Sequence, residues 1–338
     1  MDSITNFLTA NWERLSLERF GQPPLSTLVL TPGFRASSNV ILMMFTQGNT
    51  QPALVAKVSR LPGDHSELRS EAENLEIVQR SRQGGFDSIP RLVALKENDD
   101  HPFLVETMLT GSLMSPEMVR QQKTTCTEAV VNWLIELGTA TAKPSAEDDG
   151  WFKRLVEEPT NGLRNALPLS PKEEQLLARS WEVTAPLAGR EIPLVFEHGD
   201  ASDPNLLSRE DGTVGVVDWE LALANSLPAV DVFFFLTYVA FSQRRAKKQA
   251  EYTAAFDDAF FGPSAWAIPY VLRYAQSVGL RKESLTPLLV LCWQRYLAKL
   301  ARRLNPERRI YSPAKPWHGF APIGITAYGS TRSNAPKN

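Results

Sequence analysis

A chain of 338 residues, 43% apolar and 22% charged, is long enough to bury a sizeable core and to divide into two lobes. Lysine and arginine number 36 against 38 aspartates and glutamates, so a formal charge of −2 excludes a broad basic field for a nucleic-acid backbone. Met1-Asp2-Ser3-Ile4-Thr5-Asn6 lacks the basic start and apolar run of a signal peptide, lipidation motifs are not seen, and the most apolar stretch, Val232 to Phe241, is too short to span a bilayer. A cytoplasmic protein with no membrane partner is expected.

In chain order, Leu25 to Leu30, Val40 to Thr46 and Ala53 to Ser59 are β-rich runs separated by Pro, Gly and Asn, which predicts an antiparallel meander. A helix follows, with Asp64 as N-cap, Glu67 three residues on in a capping box, and apolar periodicity to Val78. Ile89 to Leu95 and Phe103 to Glu106 read as two further strands, so the first lobe is expected to be a small sheet with one helix. After Gly111 the pattern becomes helical, with Thr127 to Thr139, Pro171 to Val183 and Pro287 to Leu304 as its main runs, and a polar loop at Ser145 to Gly150. Thr286 before Pro287 predicts an N-cap with proline at the first helical position. A β-like island interrupts this region at Ile192 to Phe196 and Leu206 to Val217, where Glu210-Asp211-Gly212 suggests a hairpin turn. Cys126 and Cys292 stand far apart without a CxxC or a nearby histidine, which predicts buried thiols. The tail from Asn305 shows no periodicity, and there is no internal repeat.

The residues that point to chemistry lie at the island. They read His198-Gly199-Asp200-Ala201-Ser202-Asp203-Pro204-Asn205, then Val217-Asp218-Trp219-Glu220 after the turn. Phosphoryl transfer needs an aspartate near the attacking hydroxyl and oxygen ligands that hold Mg2+ against a triphosphate. This spacing supplies Asp200 for the acceptor's proton and Asn205 with Asp218 for the metal, while His198 braces the loop. Turn-capping explains each of these residues alone, but explains the set poorly.

In Leu54-Val55-Ala56-Lys57-Val58-Ser59 a lysine interrupts an apolar strand run, where it needs a partner or ligand unless it snorkels from an edge strand. On the following helix Glu71 falls at spacings of three and four among Leu68, Leu75 and Val78, whereas Glu73 and Glu76 point elsewhere. Lys57 and Glu71 are therefore paired on pattern, to hold the nucleotide's phosphates, with Glu67 as the runner-up carboxylate.

His198 to Glu220 resembles the catalytic and metal-binding segments of the aminoglycoside phosphotransferase and choline kinase group, relatives of the protein kinases. The resemblance implies an α+β, bilobal, protein-kinase-like fold, with residues 1–108 as nucleotide-binding lobe and 109–338 as a larger helical lobe carrying the catalytic loop. It implies Asp200 as catalytic base, Asn205 and Asp218 as magnesium ligands, Glu220 as an acidic neighbour of the metal, and Asp231 as a structural tie between the catalytic loop and the next helix. Arg69-Ser70-Glu71-Ala72 occupies the place of the helix glutamate in such kinases. Phe103 to Met108 resembles the hinge, whose main chain at Glu106 and Met108 would meet the nucleotide base. Thr31 to Asn39 departs from G-x-G-x-x-G, having one glycine; Ser37 and Ser38 either donate to phosphate there or belong to an ordinary hairpin loop.

The expected donor is ATP or GTP and the acceptor a small-molecule hydroxyl, with an antibiotic ahead of a sugar, nucleoside or amino alcohol. A P-loop nucleotidase is excluded by the absence of G-x-x-x-x-G-K-[ST]. A binuclear hydrolase is disfavoured because His65, His101, His198 and His318 form no ligand cluster in sequence. A protein kinase is disfavoured because H-R-D and D-F-G are replaced, and a kinase-fold binding protein without turnover is the remaining rival. Glu147, Asp148 and Asp149 with Trp151, or Glu251 with Asp257 and Asp258, are candidates to meet a cationic acceptor, as Arg244, Arg245, Lys247, Lys248, Arg302 and Arg303 are for an anionic one. All of them also suit a solvated face.

Overall fold

A computed structural model describes residues 2–30, 39–60, 66–97, 102–148, 150–166 and 168–303. The chain divides into two compact units, Met1–Gly111 with Gly215–Ala222, and Ser112–Val214 with Leu223–Asn338. The first unit is therefore completed by a segment that arrives a hundred residues later in the chain.

Five antiparallel strands build the first unit: β1 (Ser26–Leu30), β2 (Asn39–Phe45), β3 (Leu54–Ser59), β4 (Leu92–Lys96) and β5 (Phe103–Thr107), in the spatial order β1-β2-β3-β5-β4. Period-two alternation sorts their side chains between two faces. Leu42, Met44, Leu54, Ala56, Phe103 and Val105 pack with Ile4, Leu8, Trp12 and Leu17, which come from helix α1 (Asp2–Ala10) and the turns after it. Leu104 faces the other way and packs on Leu68 and Ala72 of helix α2 (Ser66–Arg80). Lys57 pairs in register with Leu104, and Val55 with Glu106, so this second face carries both polar side chains toward α2.

The one-helix expectation for this lobe thus needs an addition, since α1 covers the face opposite α2. Ile4 and Leu8, buried one helical turn apart, were its sequence signal. The strand expected from Ile89 starts at Leu92, because Ile89 and Pro90 belong to a turn in which the Ile89 N–H reaches Phe86 O. Asp64 lies outside the described residues.

The returning segment is stitched in by main-chain groups. The Val216 N–H donates to Ser88 O at 2.8 Å, and Asn74 of α2 donates from Nδ2 to Trp219 O and Ala222 O, each at 3.0 Å. The Trp219 ring is fully buried, and its Nε1 donates to Val216 O at 3.1 Å.

In the second unit β6 (Ser112–Leu113) is followed by α3 (Pro116–Gln121), α4 (Lys123–Thr141), β7 (Lys143–Pro144), α5 (Glu158–Ala166) and α6 (Pro171–Thr184). Ser170 and Glu173 form a reciprocal capping box at the start of α6. The β-like island becomes β8 (Pro193–Glu197), which pairs with β7, and β9 (Leu206–Ser208), which pairs with β6 and leads through the Arg209–Thr213 turn to β10 (Val214–Val216). β11 (Leu223–Ser226) pairs with β8. Four helices complete the unit: α7 (Val230–Arg244), α8 (Gln249–Phe260), α9 (Ile268–Ser277) and α10 (Leu285–Arg303). α7 is buried on every side from Val230 to Ser242, which explains why its apolar run shows no amphipathic period.

The proposed cap at Thr286 is corrected. A 3-10 turn, Lys282–Ser284, runs directly into α10 at Leu285, which puts Pro287 third in the helix. Proline is tolerated there because the first-turn N–H groups have no intrahelical acceptor. Cys126 and Cys292 are free and buried. Among the described residues no helix is long and apolar enough to cross a membrane.

Leu8 is fully buried against the sheet. Leu8→Ala is expected to lower unfolding stability by about 2–5 kcal/mol, read by chemical denaturation. An unchanged midpoint would show that α1 does not anchor the sheet.

Candidate active site

Within the first unit, Lys57 is 6% exposed and its Nζ lies 2.5 Å from Glu71 Oε1 and 3.0 Å from Asp218 Oδ1. The same Glu71 oxygen accepts the Trp219 N–H at 3.0 Å. Burial works against the ammonium, but Asp218, Glu71 and Glu106 together outweigh it and hold Lys57 well above the usual lysine range. α2 places Glu71 on the stripe it shares with buried Leu68, Asn74, Leu75 and Val78. Asp218 adopts a left-handed backbone, φ +68°, and its side chain stays 39% exposed. One Asp218 oxygen is thus committed to Lys57 while the carboxylate keeps access to solvent.

Glu106 brings a third carboxyl to this lysine. It is 2% exposed, and its Oε2 has no hydrogen-bond partner among the described residues. Burial first, then the fields of Glu71 and Asp218 against the opposing pull of Lys57, push it up to about 8. Glu220 is pushed up to about 8 as well, by burial and then by Asp218 and Glu67.

At the expected main-chain hinge, Met108 follows the end of β5. Its N–H donates to Ala53 O at 3.0 Å, because β5 continues its ladder with β3 one residue past the strand's end. Ser37 and Ser38 lie outside the described residues.

In the second unit, β8 delivers His198, Gly199 and Asp200 into a tight loop. The Asp200 N–H donates to Nδ1 of fully buried His198 at 3.3 Å. Asn205 gives its amide N–H to Asp200 O and Oδ2, both at 3.1 Å, and Ser202 Oγ lies 3.4 Å from Asp200 Oδ1. An amide whose nitrogen is committed inside the loop leaves its oxygen as an acceptor or cation ligand. Asp231 of α7 receives the His198 N–H at 2.7 Å and the Gly199 N–H at 2.9 Å.

Asn205 of the second unit and Asp218 of the first each offer oxygen atoms of the hard kind that magnesium takes. Among the described residues no group of three or more His, Cys, Asp or Glu side chains could hold a metal.

Several acidic candidates for a cationic acceptor are already engaged. Asp148 pairs with Arg154 at 2.5 Å, Trp151 is buried, Glu251 accepts the Lys247 and Lys248 N–H groups, and Asp258 meets Arg244 at 3.4 Å. Pattern reasoning missed Glu197 and Arg295, which form a buried pair at 2.6 Å. The signal was an arginine inside the apolar run Leu288 to Leu297.

The raised carboxyl of Glu106 carries a sign. Its proton is kept in the fold and released from the unfolded chain near 4.5, so its stability contribution is complete below that pH and is lost as pH rises to about 8. Compared with Glu106→Gln, the wild-type chain should lose stability across this window, each unit of displacement being worth ~1.4 kcal/mol. Parallel stability curves, measured by denaturant titration, would refute the buried protonated carboxyl; Glu220 is unchanged in both proteins and cancels.

Residues 42–269 match the phosphotransferase enzyme family, whereas no curated protein matches the chain. Among solved structures, the aminoglycoside phosphotransferase APH(4)-Ia superposes with a TM-score of 0.58 at 12% identity, over 97% of this chain and 99% of that one. APH(3'')-Id from Streptomyces rimosus, solved with ADP and streptomycin, gives 0.50 at 16% identity over 86% and 98%. A Haemophilus somnus protein that carries the name fructosamine-3-kinase gives 0.52 at 13% identity over 94% and 97%. These likenesses show the α+β, protein-kinase-like fold. With two thirds of its length matched, the chain belongs to the phosphotransferase enzyme family and is an O-phosphotransferase of the small-molecule kinase type.

Proposed function

We propose that this enzyme moves the γ-phosphoryl group of ATP or GTP to a hydroxyl of a polyhydroxylated small molecule, with an aminoglycoside-like natural product as the leading acceptor. The observation that carries the donor half is Lys57 held between Glu71 and Asp218, at 2.5 and 3.0 Å. A buried ammonium fixed by two carboxylates is a preorganised contact for the α- and β-phosphates. Ser37 and Ser38 are proposed to donate to phosphate from the preceding loop. Main-chain groups at Glu106 and Met108 are proposed to meet the nucleotide base, Met108 through its carbonyl because its N–H goes to Ala53 O.

Asp200 is the proposed base. Hydrogen bonds from Ser202 and Asn205 hold its carboxylate oxygens, which fixes the rotamer that receives the acceptor's proton as the acceptor oxygen bonds to γ-phosphorus and the β–γ bridging bond breaks. Asn205 and Asp218 are proposed to ligate Mg2+, with Glu220 as an acidic neighbour. When bound, the ion supplies charge neutralisation on the transferring phosphate. His198 and Asp231 shape the loop and touch no reacting atom.

The acceptor class rests on relatives. A mutant of APH(4)-Ia has been solved with ADP and hygromycin B, and APH(3'')-Id with streptomycin. The fructosamine-3-kinase likeness favours a second reading, a glycated or sugar-like metabolite. Against a binding protein without turnover stands the full set Lys57, Glu71, Asp200, Asn205 and Asp218. A cytoplasmic location and the absence of a nucleic-acid partner complete the proposal.

An ADP-release screen with magnesium ATP or GTP against aminoglycosides and sugar amines, with products confirmed by mass, tests both halves; ADP release with no acceptor from either class would sink the acceptor assignment. Asp200→Asn should cut turnover by about 10²- to 10⁴-fold with little change in melting temperature, and retained turnover would remove Asp200 from the chemistry. Asp218→Ala should abolish the magnesium-dependent part of nucleotide binding in calorimetry. Unchanged binding would assign the metal elsewhere.

A further inference from the structure

Glu197 is the last residue of β8 and precedes the loop of Asp200 directly. It is 2% exposed, yet its carboxyl stays below the usual range: burial pushes it up, and Arg295 and Lys299 more than reverse that. Arg295 Nη1 meets Glu197 Oε2 at 2.6 Å, and Arg295 Nη2 reaches Ser226 Oγ at 3.3 Å. Ser226 donates in turn to the same Glu197 oxygen. Lys299, one turn further along α10, lies 3.7 Å from the other oxygen, Oε1, and donates to Gly199 O at 3.5 Å.

Three main-chain groups just ahead of Asp200 are therefore held by charged side chains. The His198 and Gly199 N–H groups go to Asp231, and the Gly199 carbonyl goes to Lys299. Two buried carboxylates, Glu197 and Asp231, flank the loop, and the two cations on one face of α10 offset them. A buried ion pair contributes little net stability compared with apolar packing, whereas loss of one member leaves an uncompensated charge. Such an arrangement serves geometry better than it serves stability.

We propose that Arg295 and Lys299 are positioning residues for Asp200: α10 neutralises Glu197 and anchors the Gly199 carbonyl, so turnover depends on a helix that carries no reacting group. This rests on the reading of Asp200 as base. A shift of the loop by about 1 Å costs up to roughly 10²-fold in rate while leaving nucleotide binding intact.

The test compares the full-length wild type with Arg295→Met, Lys299→Met, Glu197→Gln and the Glu197→Gln/Arg295→Met pair. It reads kcat, the nucleotide KM and ligand-free hydrogen exchange over Phe196 to Asn205. Arg295→Met and Lys299→Met are expected to lower kcat by about 10- to 100-fold, to change the nucleotide KM by under about 3-fold, and to speed exchange in the loop. The double variant should regain at least about 10-fold over Arg295→Met, because no unpaired carboxylate is left buried. Lys299 is 35% exposed, against 7% for Arg295, so its substitution burdens the fold less and keeps the test decisive should Arg295→Met fail to fold. Unchanged kcat and exchange in Lys299→Met, or a rise confined to KM, would overturn the proposal. Exchange is read without substrate, so faster exchange together with an absence of phosphoryl transfer in every protein would sink the Asp200 reading and leave the loop-positioning role of α10 standing.

Discussion

The first unit depends on one buried ammonium. Lys57 sits inside a strand and cannot reach bulk water, so it must be compensated where it stands, and Glu71 and Asp218 do so from two separate stretches of chain. That requirement explains the glutamate on the apolar stripe of α2 and the return of the chain at 215–222. It also explains why Asp218 accepts a left-handed backbone, since its side chain then meets Lys57 while remaining partly open. Glu106 makes three carboxyls for one lysine, and it answers the imbalance by keeping its proton up to about 8.

The second unit applies the same logic to a loop. Peptide groups flanking Asp200 are satisfied by side chains rather than by a ladder: Asp231 from α7, Asn205 from the loop itself, and Lys299 from α10. A loop held this way can carry a carboxylate in a fixed rotamer without the regular backbone pairing that would bury it.

Much of this was legible in the chain because it obeys strong local rules. Strand alternation placed β1 to β5 within a few residues, and spacing on α2 singled out Glu71 over Glu73 and Glu76. The run from His198 to Glu220 brought the family into view before any coordinates. What escaped reading lacked a local pattern. α1 is short, and its two buried positions, Ile4 and Leu8, make sense only with the sheet beneath them. Asn74 looks like a surface residue until Trp219 and Ala222 return to it. Glu197 and Arg295 are 98 residues apart, and neither shows a partner along the sequence.

The discontinuity of the first unit has a consequence for how the protein is made. Its sheet, α1 and α2 are all translated by Gly111, but Glu71 and Asn74 still lack the backbone groups of Trp219 and Ala222, and Lys57 lacks its second carboxylate. On the ribosome this half must wait, with a hole for an indole and its lysine short of Asp218, until the stretch at 215–222 has cleared the exit tunnel. Nascent chains halted before that point should accordingly engage chaperones, and no fragment ending near residue 111 is expected to stand as an independent domain.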